Sequence, residues 1–147
     1  MATLSRTQER TMTMQALYSL FLFIENKQDF DATEIIVNQF GVEDFEKIPT
    51  YSQVVYSFAV NNLEEIIALI SKYLINWTFS RLDNVAKAIL VLAVTEGNYC
   101  HLAPRKVVIN QAVELAKEYL KDGDHKFINA VLDKAIEKYE FSQKQSS

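Results

Sequence analysis

Arg6 and Arg10 lie four residues apart near the start of the chain. On a helix that spacing sends both guanidinium groups from one face, where they would clamp successive phosphates. A solvated helix start is the plain alternative, because Glu9 sits between them. Far along the chain, Lys126, Phe127 and Asn129 fall within the first turns of another expected helix. Free amides and the positive end of the helix dipole suit a phosphate there, and a ring beside a lysine and an amide can stack on or hydrogen-bond an unpaired base. Taken bare, Phe127 reads first as a core residue. Gln15 and Tyr18, three apart, can share a face and extend the surface beside Arg10, with a core aromatic as the stronger alternative for Tyr18.

Other chemistries find little support. Cys100 is the only cysteine, so an intrachain disulfide is impossible and nothing favours an oxidising compartment. Cys100 and His101 are adjacent and His125 is distant, with no spacing that would make a metal site. There is no glycine-rich phosphate loop, nucleophile elbow or dinucleotide fingerprint. The neighbours Glu64 and Glu65 point to different sides of a helix, so they make no acid/base pair. The expectation is a protein that is not an enzyme and holds neither metal nor cofactor.

The net charge is −4, distributed unevenly: +1 over residues 1–21, −6 over 22–100 and +1 over 101–147. A phosphate-binding surface would therefore draw on the two ends, leaving Glu64, Glu65, Asp83 and Glu96 in the acidic middle for solvent or a basic partner. No apolar run reaches membrane-spanning length and the start has no signal-peptide hydrophobic region, so a cytoplasmic location is expected.

These residues need positioning, and the pattern calls for helices. The 147 residues are 49% hydrophobic, enough for one domain with a core of its own, and three glycines with two prolines leave few turns. Capping spacings place helix starts at Ser5 with Gln8, running to about Asn26, and at Asp31 with Glu34, running to about Phe40. Thr50 with Gln53 should open the longest helix, with a stripe of Val55, Phe58, Leu63, Ile66, Ile67, Ile70 and Leu74. Ser80 with Asp83 should open the next, striped by Leu82, Val85, Ile89 and Leu92. Pro104 suits a first helical position, followed inward by Val108, Ile109, Ala112, Leu115, Ala116 and Tyr119. Gly123 would end that helix and Asp124 cap the last, where Phe127, Ile128, Val131, Leu132, Ala135 and Ile136 continue the core. The result is an all-α domain of about seven helices in two sub-bundles, about 1–75 and 76–140, jointed near Asn76–Ser80, with a frayed tail from 141 to 147.

Three segments together carry a resemblance: Gln15-Ala-Leu-Tyr18, Arg81-Leu-Asp-Asn-Val-Ala-Lys-Ala-Ile-Leu90, and Val107 to Lys117 followed by His125-Lys-Phe-Ile-Asn-Ala-Val-Leu-Asp-Lys134. The chain resembles the NusB family of bacterial transcription antitermination factors. That resemblance implies two helical bundles packed across each other and partnership with NusE, a small-subunit ribosomal protein. It further implies recognition of single-stranded boxA RNA in nascent ribosomal RNA, and entry into the RNA polymerase elongation complex to suppress termination. Carried onto this sequence, Arg6, Arg10 and Lys126 would neutralise phosphates, and Gln15, Tyr18, Phe127 and Asn129 would contact bases or sugars. Asp83, Asn84 and Lys87, on the helix from Leu82 to Asn98, would face the protein partner.

The sequence departs from the family pattern in places. Its N-terminal arginine segment is thin, which implies weak RNA binding alone and tighter binding with NusE. Ala130 replaces a usual glycine, Gly123-Asp124 fills a turn that is often acidic, Ala86 occupies an often acidic position, and Thr95-Glu-Gly97 stands where Tyr-Glu-Leu is usual. Two alternatives follow: a helical scaffold or homodimer that has lost RNA recognition, and an accessory module of an RNA methyltransferase. The second would need a separate polypeptide, because no methyl-donor domain follows Ser147.

Overall fold

Helix α1, Arg6–Glu25, begins where the sequence placed it, and its cap is reciprocal. The Ser5 hydroxyl accepts from the Gln8 amide at 3.1 Å while the Gln8 side chain accepts from the Ser5 amide at 2.8 Å. Helix α2, Ala32–Phe40, is capped by the Asp31 carboxylate, which accepts from the amides of Thr33 and Glu34, and it ends on Gly41 at φ +66°. The computed structural model describes residues 3–142, so most of the tail expected to fray, 143–147, lies outside the described residues.

The expected longest helix is two. Helix α3, Thr50–Asn61, and helix α4, Leu63–Ser71, meet at Asn62 with a 75° bend. The side-chain amide and the backbone amide of Asn62 both donate to the Phe58 carbonyl, at 2.9 and 3.1 Å, the competition with helical bonding to which asparagine is prone. The bend leaves Phe58 at the surface, contrary to the stripe that placed it in the core. The expected capping box at Thr50 does not form: Pro49 is the N-cap, and the Gln53 side chain donates back to the carbonyls of Ile48 and Glu46.

Helix α5, Asn84–Thr95, is the axis of the fold. It packs against α1, α3, α4, α6 and α7, and every residue from Ala86 to Thr95 is buried. Alanines at 86, 88 and 93 keep it thin enough for neighbours to close on all sides. Its cap is Asp83, whose carboxylate accepts from the Val85 amide at 2.7 Å; Ser80, the expected cap, lies in a short 3-10 turn at Phe79–Arg81. Without a break, α5 runs into a π-helical turn, Glu96–Cys100, closed by the His101 amide on the Glu96 carbonyl at 2.9 Å. A Cβ added at Gly97 would sit 2.6 Å from Ile136, so only glycine lets this turn approach the end of the last helix.

Helices α6, Arg105–Tyr119, and α7, Asp124–Ala135, form the closing hairpin. Pro104 is the N-cap of α6, one position earlier than expected. Gly123 is left-handed at φ +92°, but it precedes α7 as N-cap while α6 has already ended at Tyr119; Asp124 is the first residue of α7. The last carbonyls of α7 are satisfied from the π turn and α6. Asn98 donates to the Ala135 carbonyl at 3.0 Å, and Arg105 reaches the Asp133 and Ile136 carbonyls at 2.6 to 3.1 Å. Among the described residues there are seven α-helices with short 3-10 and π turns between them and no strand, and no single helix is long and apolar enough to cross a membrane.

Candidate functional site

Arg10 does not share a surface with Arg6. It is 5% exposed, and its Nε and Nη2 bond the Glu96 carboxylate at 2.7 to 3.1 Å in a forked pair. Glu96, expected in an acidic partner surface, is 1% exposed and faces inward from the π turn. Burial alone would lower the guanidinium pKa, but the hydrogen bond and charge of Glu96 outweigh it and the net direction is up. The pair ties α1 to the far end of α5. Against it lies Tyr51, at the start of α3, with the Arg10 Cζ 5.6 Å from its ring centre. The Tyr51 hydroxyl is buried beside Glu96 and Arg10 with no hydrogen bond of good geometry; burial and the nearby Glu96 charge push its pKa far up, so it stays neutral. Cys100 is likewise held as a thiol, its pKa pushed up to about 12 by burial and by Glu96.

Arg6 is the exposed arginine of α1. Its Nε donates to Glu9 Oε1 at 3.1 Å, and its Cζ lies 4.5 Å from the centre of the Tyr51 ring. Gln15 is half-buried and bonded on both sides: its carbonyl oxygen accepts from Gln39 of α2 at 2.9 Å, and its amide makes a long 3.5 Å contact to the Tyr119 hydroxyl of α6. Tyr18 is also half-buried, packed on the core. Both reach the surface only in part.

On α7, Lys126 and Asn129 are exposed and Phe127 is half-buried. The start of α7 has no side-chain cap, and the amides of Asp124 and Lys126 are taken by the carbonyls of Lys121 and Gly123. Phe127 also borders a cleft of about 810 Å³ with Trp77, Arg81, Leu82, Tyr119 and Lys121 among its walls. Tyr119 therefore joins two groups of predicted residues, touching Gln15 on one side and sharing the cleft with Phe127 on the other.

The expected partner face on α5 is reduced to its first turn. Asp83 is exposed, and Asn84 donates to the Glu25 carboxylate at 2.6 Å. Lys87 is 6% exposed, its ammonium 5.8 and 5.9 Å from the rings of Phe21 and Phe79. The family resemblance placed it on an exposed partner face; on an axial helix its stem packs among rings instead.

A family model, described as the NusB family, matches residues 7–137. The chain belongs to the NusB family. The transcription antitermination protein NusB of Tolumonas auensis is 38% identical over 134 residues, spanning 89% of this chain and 91% of that relative. The solved T. maritima NusB matches with a TM-score of 0.79 at 26% identity, covering 99% of both chains. A chain from the solved complex of antitermination factors NusB and NusE with double-stranded RNA has the same fold, with a TM-score of 0.69 at 23% identity over 90% of this chain and 98% of that one.

Several departures from the NusB pattern have structural places. Gly97 is buried against Ile136 and serves packing. Ala130 is exposed. Ala86 is buried and lines the cleft. Trp77, Arg81, Tyr119 and Lys121 were not among the predicted site residues. Trp77, two residues from Phe79 in the stretch expected to joint the two sub-bundles, was the available signal.

Proposed function

We propose that this chain is a non-enzymatic, RNA-binding transcription antitermination factor. Together with NusE, the small-subunit ribosomal protein, it binds single-stranded boxA RNA in nascent ribosomal RNA transcripts, joins the RNA polymerase elongation complex and suppresses termination. Membership of the NusB family over residues 7–137 carries this reading. Arg6 and Lys126 neutralise phosphates, and Gln15, Tyr18, Phe127 and Asn129 touch bases or sugars from the surface that Tyr119 makes continuous. Asp83 and Asn84 meet the protein partner. Because Arg10 is spent on Glu96, α1 offers RNA one arginine, so binding is weak alone and tighter with NusE.

The test is fluorescence anisotropy of a short boxA-like RNA against a scrambled one, titrated with this protein with and without NusE at several salt concentrations. Binding that is specific, salt-sensitive and enhanced by NusE is expected. Equal or absent binding to both RNAs with NusE present would overturn the reading, in favour of a fold that has lost RNA recognition.

A further inference from the structure

We propose that Tyr51 is a positioning residue for RNA recognition. Its buried ring is the platform on which the Arg6 guanidinium is held toward solvent, and the Arg10–Glu96 pair beneath it fixes that platform. The inference rests on the RNA reading above and assigns a role to three residues that reading leaves unused.

Tyr51 is 4% exposed, while Arg6, whose guanidinium stacks over it, keeps nearly half of its side chain open to solvent. An arginine side chain free in water has several rotors to fix before it can meet a phosphate. An aromatic face fixes most of them in advance, and a planar guanidinium stacks where an ammonium would not. Arg6 Nε is occupied by Glu9, and among the described residues its Nη groups make no hydrogen bond, so those are the donors turned to a ligand. The phenol oxygen is turned to Glu96 and Arg10 and makes no hydrogen bond to Arg6. The Arg6 contact is to the ring.

The pair below solves a charge problem. Two guanidinium groups four residues apart approach the same ring, and like charges at that spacing repel. The forked bond to Glu96 cancels the Arg10 charge, so Arg10 can pack against Tyr51 without driving Arg6 away. It also ties α1 to the π turn.

Two measurements test this. In the RNA-free protein, the Arg6 Nε–Hε NMR signal should be shifted upfield by the ring in wild type and in Tyr51→Phe, and should lose that shift in Tyr51→Leu. In anisotropy titrations of the boxA-like RNA with NusE present, Tyr51→Phe should match wild type, while Arg6→Ala and Tyr51→Leu each weaken binding by roughly three- to tenfold. The double variant should be no weaker than either single, because the ring acts through Arg6. Losses that multiply, a loss in Tyr51→Phe, or an unshifted Arg6 signal in wild type would each overturn the proposal. If wild type shows the shift but binds no RNA, the RNA reading fails and takes the positioning role with it; the intact shift separates that result from a missing platform.

Discussion

Arg6 and Arg10 lie about one turn apart on α1 and meet opposite surroundings. Arg6 is a surface cation with a loose carboxylate neighbour; Arg10 is a core residue with a forked bond to a carboxylate from the far end of α5. Four residues of helix amount to slightly more than one turn, which is enough for one side chain to stay open to solvent and the next to be buried. Spacing on a helix therefore fixes direction, while burial depends on what packs there. The contrast also separates two kinds of arginine function, one electrostatic and salt-dependent, the other structural and shielded.

The largest effect should come from breaking the buried half. Arg10→Ala leaves Glu96 charged and buried without a partner, and should lower unfolding free energy by about 3–5 kcal/mol, read by urea denaturation. Glu96→Ala should cost a similar amount. Arg6→Ala should change stability by less than about 1 kcal/mol. If Arg10→Ala were as mild as Arg6→Ala, the contrast between the two positions would collapse.

Next in size is Gly97→Ala. The new methyl would meet Ile136 at 2.6 Å, and the π turn would have to withdraw from the end of α7. A loss of about 1–3 kcal/mol is expected. Because Glu96 is the preceding residue, the displacement should also loosen the Arg10 pair, so Gly97→Ala and Arg10→Ala should be less than additive in a double-mutant cycle. Strict additivity would mean that the turn and the ion pair are independent.

These positions also mark where the sequence was readable. The caps at Ser5 and Asp31 were legible because each is made of local bonds between residues two or three apart, independent of tertiary packing. The break at Asn62 was not, because apolar periodicity runs straight through it and its one local mark is a side chain that shares the Phe58 carbonyl with the helical amide. Glu96, placed outside by its charge, and Lys87, placed outside by the family resemblance, are both buried, because five helices cover α5 and the π turn continues it inward. Of the site, the α7 set was legible in place, with Lys126 and Asn129 at the surface. The cleft was not, since Trp77, Tyr119 and Phe127 are brought together only by the closing hairpin.

The exposed half gives the smallest effect and the sharpest one. Glu9 holds Arg6 Nε at 3.1 Å, so a phosphate approaching Arg6 must compete with a carboxylate already in place. Glu9→Gln keeps the side-chain shape and removes that charge. It should strengthen binding of a boxA-like RNA with NusE by roughly two- to fivefold, the size of an exposed ion pair. The gain should shrink as salt rises, because the removed repulsion is screened. A small stability loss of about 0.3–1 kcal/mol should accompany it, since an acidic residue in the first turn favours the helix dipole. The two effects have opposite signs on one substitution, which a general weakening of the fold cannot produce. In an Arg6→Ala background the RNA gain should largely disappear, as Glu9 would then have no guanidinium to occupy. An undiminished gain there would show that Glu9 repels RNA directly, and that Arg6 is not the cation through which α1 meets phosphate.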